Sequence, residues 1–174
     1  MNITKYLHYP TDPWRWTAAT GTDIDAMTEL SRRDFESEAD HTFRIDPARH
    51  CQELALAITR QTYAPASEFV FVARSNSDQQ VIAYNWIMRG QYMTYSPDEM
   101  AAARFIHIDQ TLSARQRIAI TVQSLLQWET WAKLSGIPIV CSTSVRQDYN
   151  TFMRIHEALG YRIQGACAYR RVIK

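Results

Sequence analysis

Apolar residues recur along this chain with two periods, and the changes of period divide it into elements. The first thirteen residues, with Pro10 and Pro13, show neither period and read as an extended arm. Trp14, Trp16 and Ala18 then fall at every second position, the pattern of a short strand. After Thr22, Ile24, Met27, Leu30 and Phe35 recur at helical spacing, with acidic residues in the first turn where the helix dipole favours them. Pro47 suits an early helix position, and Cys51, Leu54 and Ile58 form the apolar stripe of a second helix.

The middle of the chain is rich in β-branched and aromatic residues. "EFVFVARS" and "VIAYNWIMRGQYMTY", joined by the polar "NSDQQ", predict a hairpin. Pro97 and its polar neighbours, Asp98 and Glu99 among them, read as a loop. The following "ARFIHIDQ" reads as a strand with Phe105, His107 and Asp109 on one face and Ile106 and Ile108 on the other. From Ala114 to Leu134 there is neither glycine nor proline, and Ile118, Val122, Leu125 and Ala132 trace a long helix that Gly136 stops. "IPIVCSTSV" is a short buried strand. Asp148 can cap a helix that Gly160 ends, and a last strand begins at Tyr161. A helix crossing between the "FIHI" and "PIVC" strands makes them parallel neighbours in a mixed sheet.

Composition narrows the classes of function. The 174 residues suffice for one domain with a pocket, and 19 Lys plus Arg against 18 Asp plus Glu leave a formal charge of +1. Nothing global favours nucleic acid or an anionic membrane. The N-terminus has no apolar run of signal-peptide length, and no stretch approaches the roughly 18 apolar residues of a membrane span. The odd, scattered Cys51, Cys141 and Cys167 fit a reducing cytosol better than a disulfide framework, so a cytoplasmic protein is expected. His8, His41, His50, His107 and His156 lack metal-ligand spacing, and no metal is expected.

The order of elements, with "WTAATGTDIDAMTEL" near the start and "FMRIHEALGYRIQG" near the end, resembles the GNAT N-acyltransferase superfamily. The resemblance spans roughly residues 14 to 174 and implies a single α/β (α+β) domain preceded by the arm of residues 1 to 13. Its sheet would be mixed and mostly antiparallel, with a central splayed parallel pair and about four helices. It also implies acetyl-CoA or another acyl-CoA as co-substrate, held between the splayed strands, and an amine as acceptor. The family's pyrophosphate loop begins with Gln or Arg and carries two glycines; Gln116, Ala119 and Thr121 stand at those three positions. With Arg115 and Arg117 they are the candidate pyrophosphate contacts, while Ile106 and Ile108 would offer backbone partners to the pantetheine arm. An ordinary helix start competes for the same residues, because Ser113 and Gln116 make an S-x-x-Q capping box.

The family often draws its general acid from a tyrosine in the closing helix, and His156 stands in that place here. His107 could act as a base with Asp109 as its orienting partner, although a polar fringe at the sheet margin would show the same spacing. Tyr169 is a further candidate acid. Beside a small-molecule sensor that binds CoA without turnover, two functions remain from this stage. One is direct transfer of an acyl group from acyl-CoA to a primary amine, either a small molecule or a protein amine. The other is a catalytically inactive fold serving as a structural component of a larger assembly, such as a virus particle, docked through its N-terminal arm.

Overall fold

The computed structural model describes residues 12–38, 43–44, 46–144 and 149–164. Strand β1 is Trp14–Ala18 and, after a 3-10 turn at Gly21–Asp23, helices α1 (Ile24–Glu38) and α2 (Pro47–Tyr63) follow. Strands β2 (Glu68–Ser75), β3 (Val81–Tyr92) and β4 (Glu99–Ile108) come next, then helix α3 (Ala114–Leu134), strand β5 (Ile139–Cys141) and helix α4 (Tyr149–Ala158). The sheet runs in chain order, antiparallel from β1 to β4, and α3 crosses over so that β5 lies parallel to β4. The parallel pair expected from the crossover is therefore present.

Two apolar layers cover the sheet. On one face Met27 and Leu30 of α1 and Leu54, Ala57 and Ile58 of α2 pack on Val70, Val72, Tyr84 and Trp86. On the other, α3 and Ile155 of α4 pack on Ala73, Ala83, Ile87, Ala101 and Ile108. The stripe of α2 is completed by Ala57 and Gln61, with Cys51 only half-buried. Gln61 earns its buried position by donating to Ala19 O (3.0 Å) and accepting from Val70 N (2.6 Å).

Helix α3 is more deeply enclosed than its apolar row predicts, because its polar residues find partners inside. Asn85 of β3 donates to Ser124 Oγ (3.0 Å) and Gln127 Oε1 (2.8 Å) and accepts from Trp128 Nε1 (2.8 Å). Gln123 Oε1 accepts from Trp14 Nε1 (2.9 Å) and Trp16 Nε1 (2.7 Å), and its amide donates to Asp12 (2.9 Å). Asp12 and Pro13 are thereby fastened to the domain, since Asn76 also bonds both of their carbonyls.

Both predicted glycine stops are Schellman motifs. Gly136 at φ +70° lets Ile137 N reach Ala132 O, and Gly160 at φ +90° lets Tyr161 N reach His156 O. Two expectations need correction. Glu99 belongs to β4, where a bidentate pair with Arg89 and a bond from Gly90 N satisfy it, and residues 161 to 164 form no strand. The expected cap Asp148, the candidate acid Tyr169 and the rest of the last strand lie outside the described residues, as does the arm before Asp12. Among the described residues no helix is long and apolar enough to cross a membrane.

Candidate active site

Strands β4 and β5 stay together for only three residue pairs, Met100 with Ile139, Ala101 with Val140 and Ala102 with Cys141. Beyond them β4 runs on through residues 103 to 108 with a partner on its β3 side alone among the described residues. A wedge with unpaired backbone therefore opens between the parallel strands. At its apex β4 carries a bulge: Ala103 opposes Ile87 and Phe105 opposes Trp86, so Arg104 is the extra residue. The bulge turns the Arg104 guanidinium over the Trp86 ring, 5.5 Å from its centroid.

A cavity of about 490 Å³ lies beside this opening. Residues 104 to 107 of β4 form one wall, α1 and the start of α2 another, and Thr143 and Ser144, which follow β5, close the side nearest the wedge. His107 is buried on the β4 wall, its ring stacked with Tyr84 of β3 (5.3 Å) and Phe105 (5.6 Å). His50 of α2 lies across from it, ring centroids 6.4 Å apart, with Nε2 2.8 Å from Tyr84 Oη and 3.3 Å from Ser31 Oγ. Ser31 Oγ also contacts Tyr84 Oη and donates to Met27 O (3.0 Å). Burial depresses the His50 pKa below its ordinary value against a smaller opposing pull from Glu53.

The other expected proton carriers lie elsewhere. Asp109, one residue past β4, accepts from Thr111 N (2.9 Å) and Thr111 Oγ1 (2.7 Å) and pairs with Arg33 at 3.1 Å. Partial burial would raise its pKa, but the Thr111 hydrogen bonds and the Arg33 charge outweigh it and hold the carboxyl below its usual value. The carboxylate is committed to this turn and makes no bond to His107. His156 is buried in α4 between Phe152 and Tyr161, its Nδ1 donating to Phe152 O at 2.8 Å. Burial keeps it neutral, overcoming the carbonyl's opposite effect. Neither Asp109 nor His156 lines the cavity.

At the start of α3 the capping box is formed in full. Ser113 N donates to Gln116 Oε1 (3.0 Å), and Gln116 N reaches Ser113 Oγ (3.4 Å). Starting at Ala114, the helix has Ala119 and Thr121 well inside it, both buried, and Thr121 Oγ1 bonds back to Arg117 O (2.9 Å). Their N–H groups belong to the helix ladder rather than to an open loop. Arg117 donates to Gln110 Oε1 (2.6 Å), whose own amide caps Ile108 O (2.8 Å), tying the end of β4 to α3. Asp109 N donates to Ile82 O on the β3 side (2.9 Å), so by the alternation along a strand the backbone groups of Ile106 and Ile108 point the other way, to the wedge, where Gln110 already takes Ile108 O.

His50, Tyr84, Ser31 and Arg104 were missed by the sequence reading. Pairing the hairpin strand with "ARFIHIDQ" in register would have put Tyr84 beside His107, as the structure does. His50 gave no such signal, because its partners come from other elements.

A five-stranded sheet with one splayed parallel pair, flanked by four helices in this order, is the fold of the GNAT acetyltransferases. An aminoglycoside antibiotic 6'-N-acetyltransferase from Acinetobacter baumannii shares it at a TM-score of 0.66 and 19% identity, over 92% of this chain and 99% of that one. A predicted acetyltransferase solved with acetyl-CoA from Clostridium acetobutylicum matches at 0.67 and 13%, over 91% and 96%. Glucosamine-6-phosphate N-acetyltransferase from Arabidopsis thaliana matches at 0.59 and 8%, over 92% and 99%. No protein-family model and no curated protein matches the sequence. At these identities the likeness is one of fold.

Proposed function

We propose that this protein is an N-acyltransferase that takes an acyl group from acetyl-CoA or another acyl-CoA and transfers it directly to a primary amine. The observation that carries this reading is the stretch of β4, residues 103 to 108, that has no strand partner on its β5 side among the described residues and opens beside a cavity lined by two histidines. The wedge fits a pantetheine arm, because a strand edge offers N–H and C=O groups at regular spacing. The helix start fits a pyrophosphate less closely than a glycine loop does. The residues it offers are Arg115 and Arg117, with the remaining first-turn N–H groups. Bound acyl-CoA would supply an acyl group activated as a thioester.

The chain's own residues do the rest. The backbone groups of Ile106 and the N–H of Ile108 orient the arm, and the aromatic wall of Phe105 and Trp86 excludes water from the acceptor side. A histidine on the cavity wall removes a proton from the incoming ammonium, a task suited to an imidazole that is neutral at pH 7. Of the expected proton carriers, His107 lines that wall, whereas Asp109 and His156 serve local structure. Direct attack is favoured because the cavity hydroxyl beside a histidine, Ser31 Oγ, has its proton on Met27 O and is held against Tyr84 Oη, so it is not presented as a nucleophile.

The second reading, a non-catalytic component of a larger assembly, is favoured by one observation: Ala119 and Thr121 sit within a helix where a pyrophosphate loop would need open backbone. Calorimetric titration with acetyl-CoA separates the two. Saturable binding, with a rise in Tm at about 1 mM ligand, followed by thiol release on adding amines, is expected of the enzyme. No binding at that concentration would remove it in favour of the assembly component.

A further inference from the structure

The polar chain behind the cavity has a direction. A carbonyl only accepts, so the bond from Ser31 Oγ to Met27 O uses the single serine proton. The contact between Ser31 Oγ and Tyr84 Oη must then be made by the tyrosine proton. With that proton committed, Tyr84 Oη accepts from His50, whose Nε2 lies 2.8 Å away. All three contacts are satisfied only when the neutral imidazole carries its proton on Nε2. Nδ1 is left as the basic nitrogen, and it has no hydrogen bond among the described residues, on a ring that lines the cavity.

The same cavity is rich in cationic side chains. Arg32, Arg44, Arg49 and Arg104 line it against two carboxylates, Asp46 and Glu53. Arg32 is tied to Glu29 by two bonds (2.8 and 2.6 Å) and Asp46 accepts from Arg49 N (2.9 Å) to cap α2. Arg44, Arg49 and Arg104 form no ion pair among the described residues. Such a lining repels polycations and attracts an acceptor with a negative group.

We propose that this cavity is the acceptor site, that His50 Nδ1 is its general base, and that the amine it takes carries a carboxylate or phosphate. The assignment of the base rests on the acyltransferase reading above. In the step, an N–H bond of the acceptor ammonium breaks and an Nδ1–H bond forms. The positive charge passes to the imidazolium and the freed electron pair stays on the amine nitrogen as the nucleophile. Tyr84 and Ser31 are positioning residues, because they fix the tautomer without touching the amine. The charged and titratable groups around the His50 ring are Glu53, Arg49 and Asp46 from its own helix and approach, Arg32 from α1, Tyr84 from β3, and His107 and Arg104 from β4. The acids favour and the arginines oppose the imidazolium, and burial adds to the arginines, so the ring is held ready as a base at pH 7.

Two measurements test this. In the full, unliganded chain, long-range 1H–15N correlation of the histidines should show His50 protonated on Nε2, with the preference weakened in Tyr84→Phe; a proton on Nδ1 would overturn the proposal whether or not the protein is an enzyme. Thiol release from acetyl-CoA should then be followed with an amino acid, a phosphorylated amino sugar, spermidine and an aminoglycoside. The anionic amines should turn over fastest, and Arg104→Gln with Arg49→Gln should raise their KM about 10-fold. His50→Gln should lower kcat about 100-fold with acetyl-CoA binding intact, and abolish the fall in kcat below pH 6.5 expected of the parent. An unchanged kcat and pH profile in a His50→Gln protein that turns over would remove the base alone. A preference for the polycations would remove the acceptor class, and a parent chain that binds no acetyl-CoA would remove the acyltransferase reading and the base with it.

Discussion

Asn85 shows how single polar residues organise this molecule. It is fully buried, yet every donor and acceptor of its amide is used, two toward α3 side chains and one from Trp128. Asn85→Leu would leave the Trp128 N–H and the Ser124 hydroxyl without their partner, and unfolding in urea should show a loss of about 3 kcal/mol. His156 illustrates a different cost. Its folded-state pKa lies below the unfolded value near 6.5, so the unfolded chain binds more protons in the window between the two. The stability it contributes is present above pH 6.5 and lost as pH falls through the folded pKa; His50 adds to the same trend. Melting curves from pH 8 to 5 should therefore show Tm falling below pH 6.5, with a shallower fall in His156→Phe.

Among the elements, α3 carries the sharpest conflict between local and functional signals. Ser113 and Gln116 begin the helix by themselves, which draws Ala119 and Thr121 into its interior. Ser113→Ala should cost about 1 kcal/mol in thermal or urea unfolding, the usual value of an N-cap. Installing Gly at both 119 and 121 should cost about 2 kcal/mol, from roughly 1 kcal/mol of helix propensity against Ala119, roughly 0.3 kcal/mol against Thr121 and about 0.8 kcal/mol for the loss of the buried Thr121 methyl. It should not tighten acetyl-CoA, because the capping box still fixes where the helix starts. Tighter binding in calorimetry would mean that the glycine positions, not the cap, set the loop. The capping box and both Schellman stops were legible in the sequence because each is built from residues within one or two turns. The bulge at Arg104 was not, because a bulge exists only as a mismatch of two strands.

At the scale of the whole molecule, the chain entry is fastened by Gln123, which joins Trp14, Trp16 and Asp12 to α3 over more than a hundred residues of sequence. Gln123→Leu should lower stability by about 2 kcal/mol in urea and leave the indole N–H groups of both tryptophans without this acceptor. Near-UV circular dichroism should register the change in their environment. The two faces of the sheet divide the labour: one packs α3 and α4, the other packs α1 and α2 and holds the cavity.

By itself the sequence determined the order and type of the elements from Trp14 to Ala158, the start of α3, the glycine stops of α3 and α4, the alternation of Phe105 and His107 against Ile106 and Ile108, and the parallel placement of β5. These follow from side-chain periodicity, from glycine's access to positive φ and from the handed crossover, all of which act over short stretches of chain. Only the tertiary structure decided how far β5 accompanies β4, and so where the wedge opens. It alone brought Ser31, His50 and Tyr84, from three elements, into a chain in which the acceptor Met27 O sets the direction of the bonds. A hydrogen bond's direction depends on which groups meet in space, and no local period encodes that meeting.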